Sequence, residues 1–166
     1  MNNKKTLFLT EAAVIAAIYT VLVVAFQPIS FGPIQFRIAE ALTILPFFTP
    51  AAIPGVTIGC FLSAILTGAD ILDMIFGSLA TLIAAILSYQ LRRYKFLVPV
   101  PPIVANALII PWVLRYAYDV PDAIPFMMLT VGAGEVLAVG VLGTILMLAL
   151  DRVKHIVFKN SNHIGK

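Results

Sequence analysis

The sequence predicts an all-α membrane protein folded as a bundle of six transmembrane helices. Three observations carry that expectation. Apolar residues make up 61% of the 166 and charged residues 11%, with a mean hydropathy of +1.02, well outside the habit of soluble domains. The apolar residues gather into six runs, separated by short breaks that hold proline, glycine or charge. The basic residues concentrate on alternate breaks, as the positive-inside rule asks of a chain with both ends in the cytoplasm.

Lys4 and Lys5 ahead of an apolar run resemble the start of a signal peptide. The run continues to Phe26 and the chain beyond is equally hydrophobic, so a retained first helix over 10–26 is expected. Thr10 would cap it, with Glu11 in the positive first turn. Pro28, Gly32 and Pro33 mark a loop before a second helix over 36–48, short against the roughly 20 residues of a full crossing. A third helix is expected over 53–66, ended by the polar break Thr67-Gly68-Ala69-Asp70. The fourth, fifth and sixth are placed at 72–91, 96–117 and 125–150, all within one integral membrane domain spanning 1–166. Pro99, Pro101, Pro102 and Pro111 should bend the fifth helix.

With the N-terminus inside, the cytoplasmic segments hold Lys4, Lys5, Arg92, Arg93, Lys95, Arg152, Lys154, Lys159 and Lys166. The outer segments hold only Arg37 and Arg115, beside Asp70, Asp73, Asp119 and Asp122. The net charge of +3 is therefore topological and argues for no nucleic-acid partner. No phosphate-binding loop is present, so the chain cannot harvest ATP alone. Cys60 is the single cysteine, and His155 and His163 sit in the basic C-terminal tail. That leaves no disulfide, no cysteine metal motif and no membrane histidine for catalysis. No metal and no cofactor are expected.

Small residues recur at helical spacing. Gly55, Gly59 and Ser63, then Gly77, Thr81 and Ala85, with Ala80, Ala84 and Ser88 on a second face, suit close helix packing. Ala12/Ala16 and Ala13/Ala17 form two overlapping pairs on the first helix. They make a flat strip that suits either internal packing or the helix of another protein.

The polar residues in the apolar runs are the candidate site. Arg37 and Glu40, three apart, can pair on one face or jointly meet a polar ligand. Glu135 falls near mid-membrane, where an ionised acid costs roughly 2.5–3.5 kcal/mol. Glu40 and Asp73 carry a similar cost, so these acids must be protonated, paired with a cation or turned into a wet cavity. Asn106, midway along the fifth helix, offers donors and an acceptor, for a ligand or for a neighbouring helix. Trp112 and Tyr116, four apart, fit an interfacial belt or a stacking platform for a planar ring. Asp70 reads as a solvated loop residue, and Asp73 as facing the site or capping the fourth helix. Asp70 and Asp73 have no second acidic cluster with which to hold magnesium.

The blocks PIQFRIAEALTILPFFTPAAIPG, DMIFGSLATLIAAIL and ANALIIPWVL closely resemble the QueT family, over roughly Thr10 to Asp151. The resemblance implies an S component, the substrate-binding subunit of an energy-coupling factor transporter for queuosine precursors. It implies a ligand site near the outer face, and partners in a T component and two ATPase subunits. It further implies that the alanine strip (Ala12, Ala16, and Ala13 and Ala17 beside them) contacts the T component. The implied cargo is a 7-deazaguanine: the aminomethyl precursor preQ1, the cyano precursor preQ0, or queuine. Glu135 or Glu40 could accept the paired N–H and amino donors of such a base. Asp73 could hold a cationic aminomethyl group, Arg37 or Asn106 could donate to the carbonyl, and Phe36, Trp112 or Tyr116 could stack on the ring. Two other readings remain: a proton-coupled secondary transporter of a purine-like base using Glu135 as relay, and an intramembrane enzyme. The enzyme reading lacks a cysteine–histidine or serine–histidine pair.

Overall fold

The computed structural model describes residues 3–30 and 37–157, and among these every regular element is helical. The order is α1 (Asn3–Ala25), a single turn α2 (Gln27–Ser30), a 3-10 segment (Ile38–Phe47), α3 (Ala52–Leu66), α4 (Ile71–Gln90) and α5 (Val100–Ala117). It closes with α6 (Ile124–Glu135), a π segment (Val136–Gly143) and α7 (Thr144–Val157), which follow one another without a break. Four stretches are long and apolar enough to cross a membrane: Lys4–Ala25, Ile71–Arg93, Lys95–Ala117 and Ile124–Lys154. Ile38–Phe47 and Ala52–Leu66 are shorter apolar helices.

Several boundaries move from the expected ones. α1 starts at Asn3, because the lysines ahead of the apolar run are good helix formers. Thr10 is therefore inside the helix and caps nothing; its hydroxyl donates back to the Thr6 carbonyl at 2.9 Å. Glu11 lies beyond the first turn and accepts a 2.8 Å bond from the Thr49 hydroxyl, tying α1 to the turn after the 3-10 segment. Pro101 and Pro102 fall in the first turn of α5, with Pro99 just ahead of it. Amide protons are unsatisfied there in any case, so these prolines start the helix and only Pro111 lies in its interior. Asp70 caps α4, its carboxylate accepting from the Leu72 N–H at 2.8 Å, which leaves Asp73 free of that task.

The 3-10 segment is the axis of the fold. Ala39 through Pro46 are all buried, and the segment touches α1, α3, α4, α7 and the π segment. A helix apolar all round belongs in an interior, and one sheathed by other helices is relieved of spanning lipid by itself. Ile44, Val56, Val139 and Met147, each fully buried, form the core around it. On the outside, large apolar side chains such as Val14, Ile58, Phe76, Leu108 and Leu129 are exposed, the arrangement a lipid solvent favours.

α1 and α3 meet through glycine. A Cβ on Gly55 would lie 2.9 Å from the Ile15 side chain, and one on Gly59 would lie 2.7 Å from Tyr19 Cβ. The Thr20 hydroxyl, shared between the carbonyls of Ala16 at 2.8 Å and Gly59 at 3.2 Å, closes the contact. This is the close approach of backbones by which helices associate where lipid offers no hydrophobic driving force.

Candidate functional site

The two deepest acids lie in and next to the two irregular helical segments. Glu40 is in the first turn of the 3-10 segment, and Glu135 is the last α-helical residue before the π segment. Runs of 3-10 helix this long are uncommon, and π turns cluster at functional sites. From Ile124 to Glu135 the helix advances about 16 Å, which puts the carboxyl well below the loop end of the bundle. The two segments pack tightly: a Cβ on Gly143 would meet Ile44 Cγ2 at 3.1 Å and the Ala41 carbonyl at 3.4 Å.

Around the acids the fold brings a polar cluster together. Tyr19 of α1 donates its hydroxyl to Glu40 Oε1 at 2.5 Å. Asn106 of α5 lies beside both carboxyl groups, with amide protons to offer each. Arg37 stands in extended conformation (φ −92°, ψ 98°) at the entry to the 3-10 segment. Its guanidinium reaches Asp73 Oδ2 on α4 at 3.7 Å, and its charge acts on Glu40 and Glu135. Asp73 Oδ2 also accepts from the Tyr118 hydroxyl at 3.0 Å, while Tyr118 accepts from the Asp70 N–H at 3.2 Å. Burial, with a further push from Asp73, raises the Tyr118 phenol above its ordinary range, so it stays protonated and remains a donor.

Among the described residues, three buried side-chain atoms find no hydrogen-bond partner: Glu40 Oε2, Glu135 Oε2 and Ser78 Oγ. Two of the three are carboxyl oxygens of this one cluster, on residues 1% and 3% exposed. An unpaired buried acceptor costs about 1–3 kcal/mol. Next to the cluster, on the side of Tyr19, Arg37 and Asp73, lies a cavity of about 20 Å³ lined also by Cys60, Ser63 and Thr67 and not by either glutamate. It has room for a water molecule, far below the 300–1,000 Å³ of a typical ligand pocket. Anything larger than water therefore enters that cavity only if its lining side chains shift. Among the described residues, no group of three His, Cys, Asp or Glu side chains could hold a metal.

Arg37, Glu40, Asp73, Asn106 and Glu135 thus meet in one place. Trp112 and Tyr116 do not join them. They stack on each other, planes 10° apart and centroids 6.4 Å apart, on the outward side of α5. There they line a wholly apolar groove of about 340 Å³ with Leu72, Phe76 and Leu108. At 100° per residue they stand about 120° and 80° round the helix from Asn106. Phe36 lies outside the described residues. The alanine strip divides: Ala12 and Ala16 are buried against α3, while Ala13 and Ala17 are exposed on an open groove with Thr6, Leu9, Thr10 and Val14.

Sequence reasoning missed Tyr19, Cys60 and Tyr118 as members of the cluster. A tyrosine in mid-helix, away from both ends of α1, was the one available signal for the first.

A family model described as QueT transporter matches residues 9–152. The chain belongs to the QueT transporter family. It is similar to the "Queuosine precursor transporter QueT" of Lactococcus lactis subsp. cremoris (strain MG1363), 40% identical over 85 residues. That match spans about half of this chain and half the length of the relative. No solved structure matches. Membership of this family, with four helices long and apolar enough to cross a bilayer, fits a multi-pass protein of the cell membrane.

Proposed function

We propose that the chain is the substrate-binding S component of an energy-coupling factor importer, and that it takes up a queuosine precursor, a 7-deazaguanine such as preQ1, preQ0 or queuine. One observation carries the reading: two buried carboxyl oxygens, Glu40 Oε2 and Glu135 Oε2, have no donor from the protein itself. A deazaguanine presents N–H and amino donors in one plane, the chemistry those oxygens lack. Asn106 and Arg37 supply donors for its carbonyl, and Asp73 an anion for an aminomethyl cation. The name of the Lactococcus relative supports the same cargo.

In this reading six helices are embedded in the membrane with both termini in the cytoplasm, supported by the basic clusters at Arg92–Arg93–Lys95 and Arg152–Lys154. The site then opens outward, at the end where Arg37, Asp73 and Tyr118 meet. Transport is powered by a T component with two ATPase subunits, and Ala13 and Ala17 offer the exposed part of the docking strip.

Calorimetric titration of the purified chain in detergent against preQ1, preQ0, queuine and guanine tests the cargo. Co-purification with the T component and ATPases tests the assembly. Absence of both overturns the proposal. Glu135, buried and holding an unpaired oxygen, also suits a proton relay. Uptake that persists without the ATPases and collapses with the proton gradient would favour that second reading.

A further inference from the structure

Glu40 does not present a whole carboxylate to a ligand. The Tyr19 hydroxyl, on a residue 1% exposed in mid-α1, sits 2.5 Å from Glu40 Oε1. Tyr19 is itself held: Gly59 of α3 packs so closely that a Cβ there would lie 2.7 Å from Tyr19 Cβ. The phenol has therefore little freedom to leave, and Oε2 is the oxygen of Glu40 that stays without a partner. Glu135 likewise keeps one unpartnered oxygen, Oε2, with Asn106 beside its carboxyl. A ligand read here meets one open acceptor from each of two glutamates on two different helices. A single bidentate carboxylate is not what the cluster offers.

We infer that Tyr19 is a positioning residue for selectivity: by occupying Glu40 Oε1 it divides recognition of the ligand's donor edge between Glu40 Oε2 and Glu135 Oε2. The class of ligand this selects is a planar base with two separate N–H donors, a ring N–H and an exocyclic amine. A base that keeps the ring N–H and lacks the amine leaves one buried oxygen unpaired. This inference rests on the proposed function, because it presumes that a purine-like base is the solute.

The test is calorimetric titration of the full chain in detergent with preQ1, guanine and hypoxanthine, the last lacking the exocyclic amine. One unpaired buried acceptor corresponds to about 5- to 150-fold in affinity, so the unmodified chain should prefer guanine to hypoxanthine within that range. Y19F releases Oε1 and lets the Glu40 carboxyl turn. It should weaken guanine binding about tenfold and reduce the guanine preference to within about threefold. Its thermal unfolding midpoint should stay within a few degrees of the parent's. A merely structural Tyr19 would lower affinity for both bases together and leave their ratio alone, and that result overturns the inference. E40Q is the second arm: its amide carbonyl can still accept from Tyr19, but its NH2 replaces the open acceptor with a donor. Guanine binding should fall at least tenfold with the fold intact, and unchanged selectivity in E40Q overturns the inference as well. If the unmodified chain binds none of the bases, the proposed function fails first and takes this inference with it. Binding of preQ1 and guanine with no discrimination against hypoxanthine sinks the inference alone.

Discussion

Gly59 lies against Tyr19 with no room for a methyl group: a Cβ at that position would come within 2.7 Å of Tyr19 Cβ and 2.9 Å of the Ala16 carbonyl. Gly59→Ala should therefore force α1 and α3 apart and cost about 1–3 kcal/mol. Because the displaced residue is the one that holds Glu40, ligand affinity should fall with stability. Gly132→Ala is the control. Its Cβ would meet only Ala107 Cβ at an ordinary 3.6 Å, so its unfolding midpoint in detergent should match the parent's.

Glu135→Gln should abolish tight binding while the protein still folds. The Oε2 atom that it alters has no partner within the protein to lose. An amide NH2 facing the ligand's donors costs about 10- to 100-fold in affinity. Calorimetry beside a thermal melt separates the two effects; a variant that binds as tightly as the parent would remove Glu135 from the site.

Arg37→Ala takes the cation from Asp73, which is 6% exposed and keeps only the Tyr118 hydroxyl among its hydrogen bonds described above. Removing one partner of a fully buried pair costs about 3–5 kcal/mol; this one is long at 3.7 Å and its arginine is 14% exposed, so about 1–3 kcal/mol is expected. Adding Asp73→Asn to Arg37→Ala should recover part of that loss, since a neutral amide needs no counter-charge. A double-mutant cycle on thermal unfolding reads the coupling, and strict additivity would mean that the pair contributes nothing.

Ala17→Leu should leave the melting midpoint and ligand binding intact and remove co-purification with the T component. Its side chain is exposed on α1. Ala16→Leu cannot make that separation, because Ala16 is 5% exposed and its carbonyl abuts Gly59. Leucine there disturbs the α1–α3 contact itself. A fully assembled Ala17→Leu complex would exclude this face from docking.

The helical class, the apolar runs and the packing glycines were legible because each is written in local pattern: hydropathy, spacing and residue size. The break before α4 was legible for the same reason, since Thr67-Gly68 acts on the backbone where it stands. Less was readable where the outcome depends on partners distant in sequence. Arg37 and Glu40 were readable as a pair or as joint contacts for a polar ligand, yet Arg37 reaches to Asp73 and Glu40 takes the hydroxyl of Tyr19, 21 positions upstream. Trp112 and Tyr116 showed their four-residue spacing in the sequence, but which way that face turns depends on how α5 packs against α4 and α6. A 3-10 path for Ile38–Phe47 carries no hydropathy signature of its own, since an interior helix is apolar on every side whatever its pitch.

That central segment has a consequence for biogenesis. At about 2.0 Å per residue its ten residues cover about 20 Å, against a hydrocarbon core of about 30 Å. A single segment that short does not cross the hydrocarbon by itself. It must be escorted, entering only as α1 and α3 close around it, so that a defect in the α1–α3 seam would strand the axis of the bundle before any solute is met.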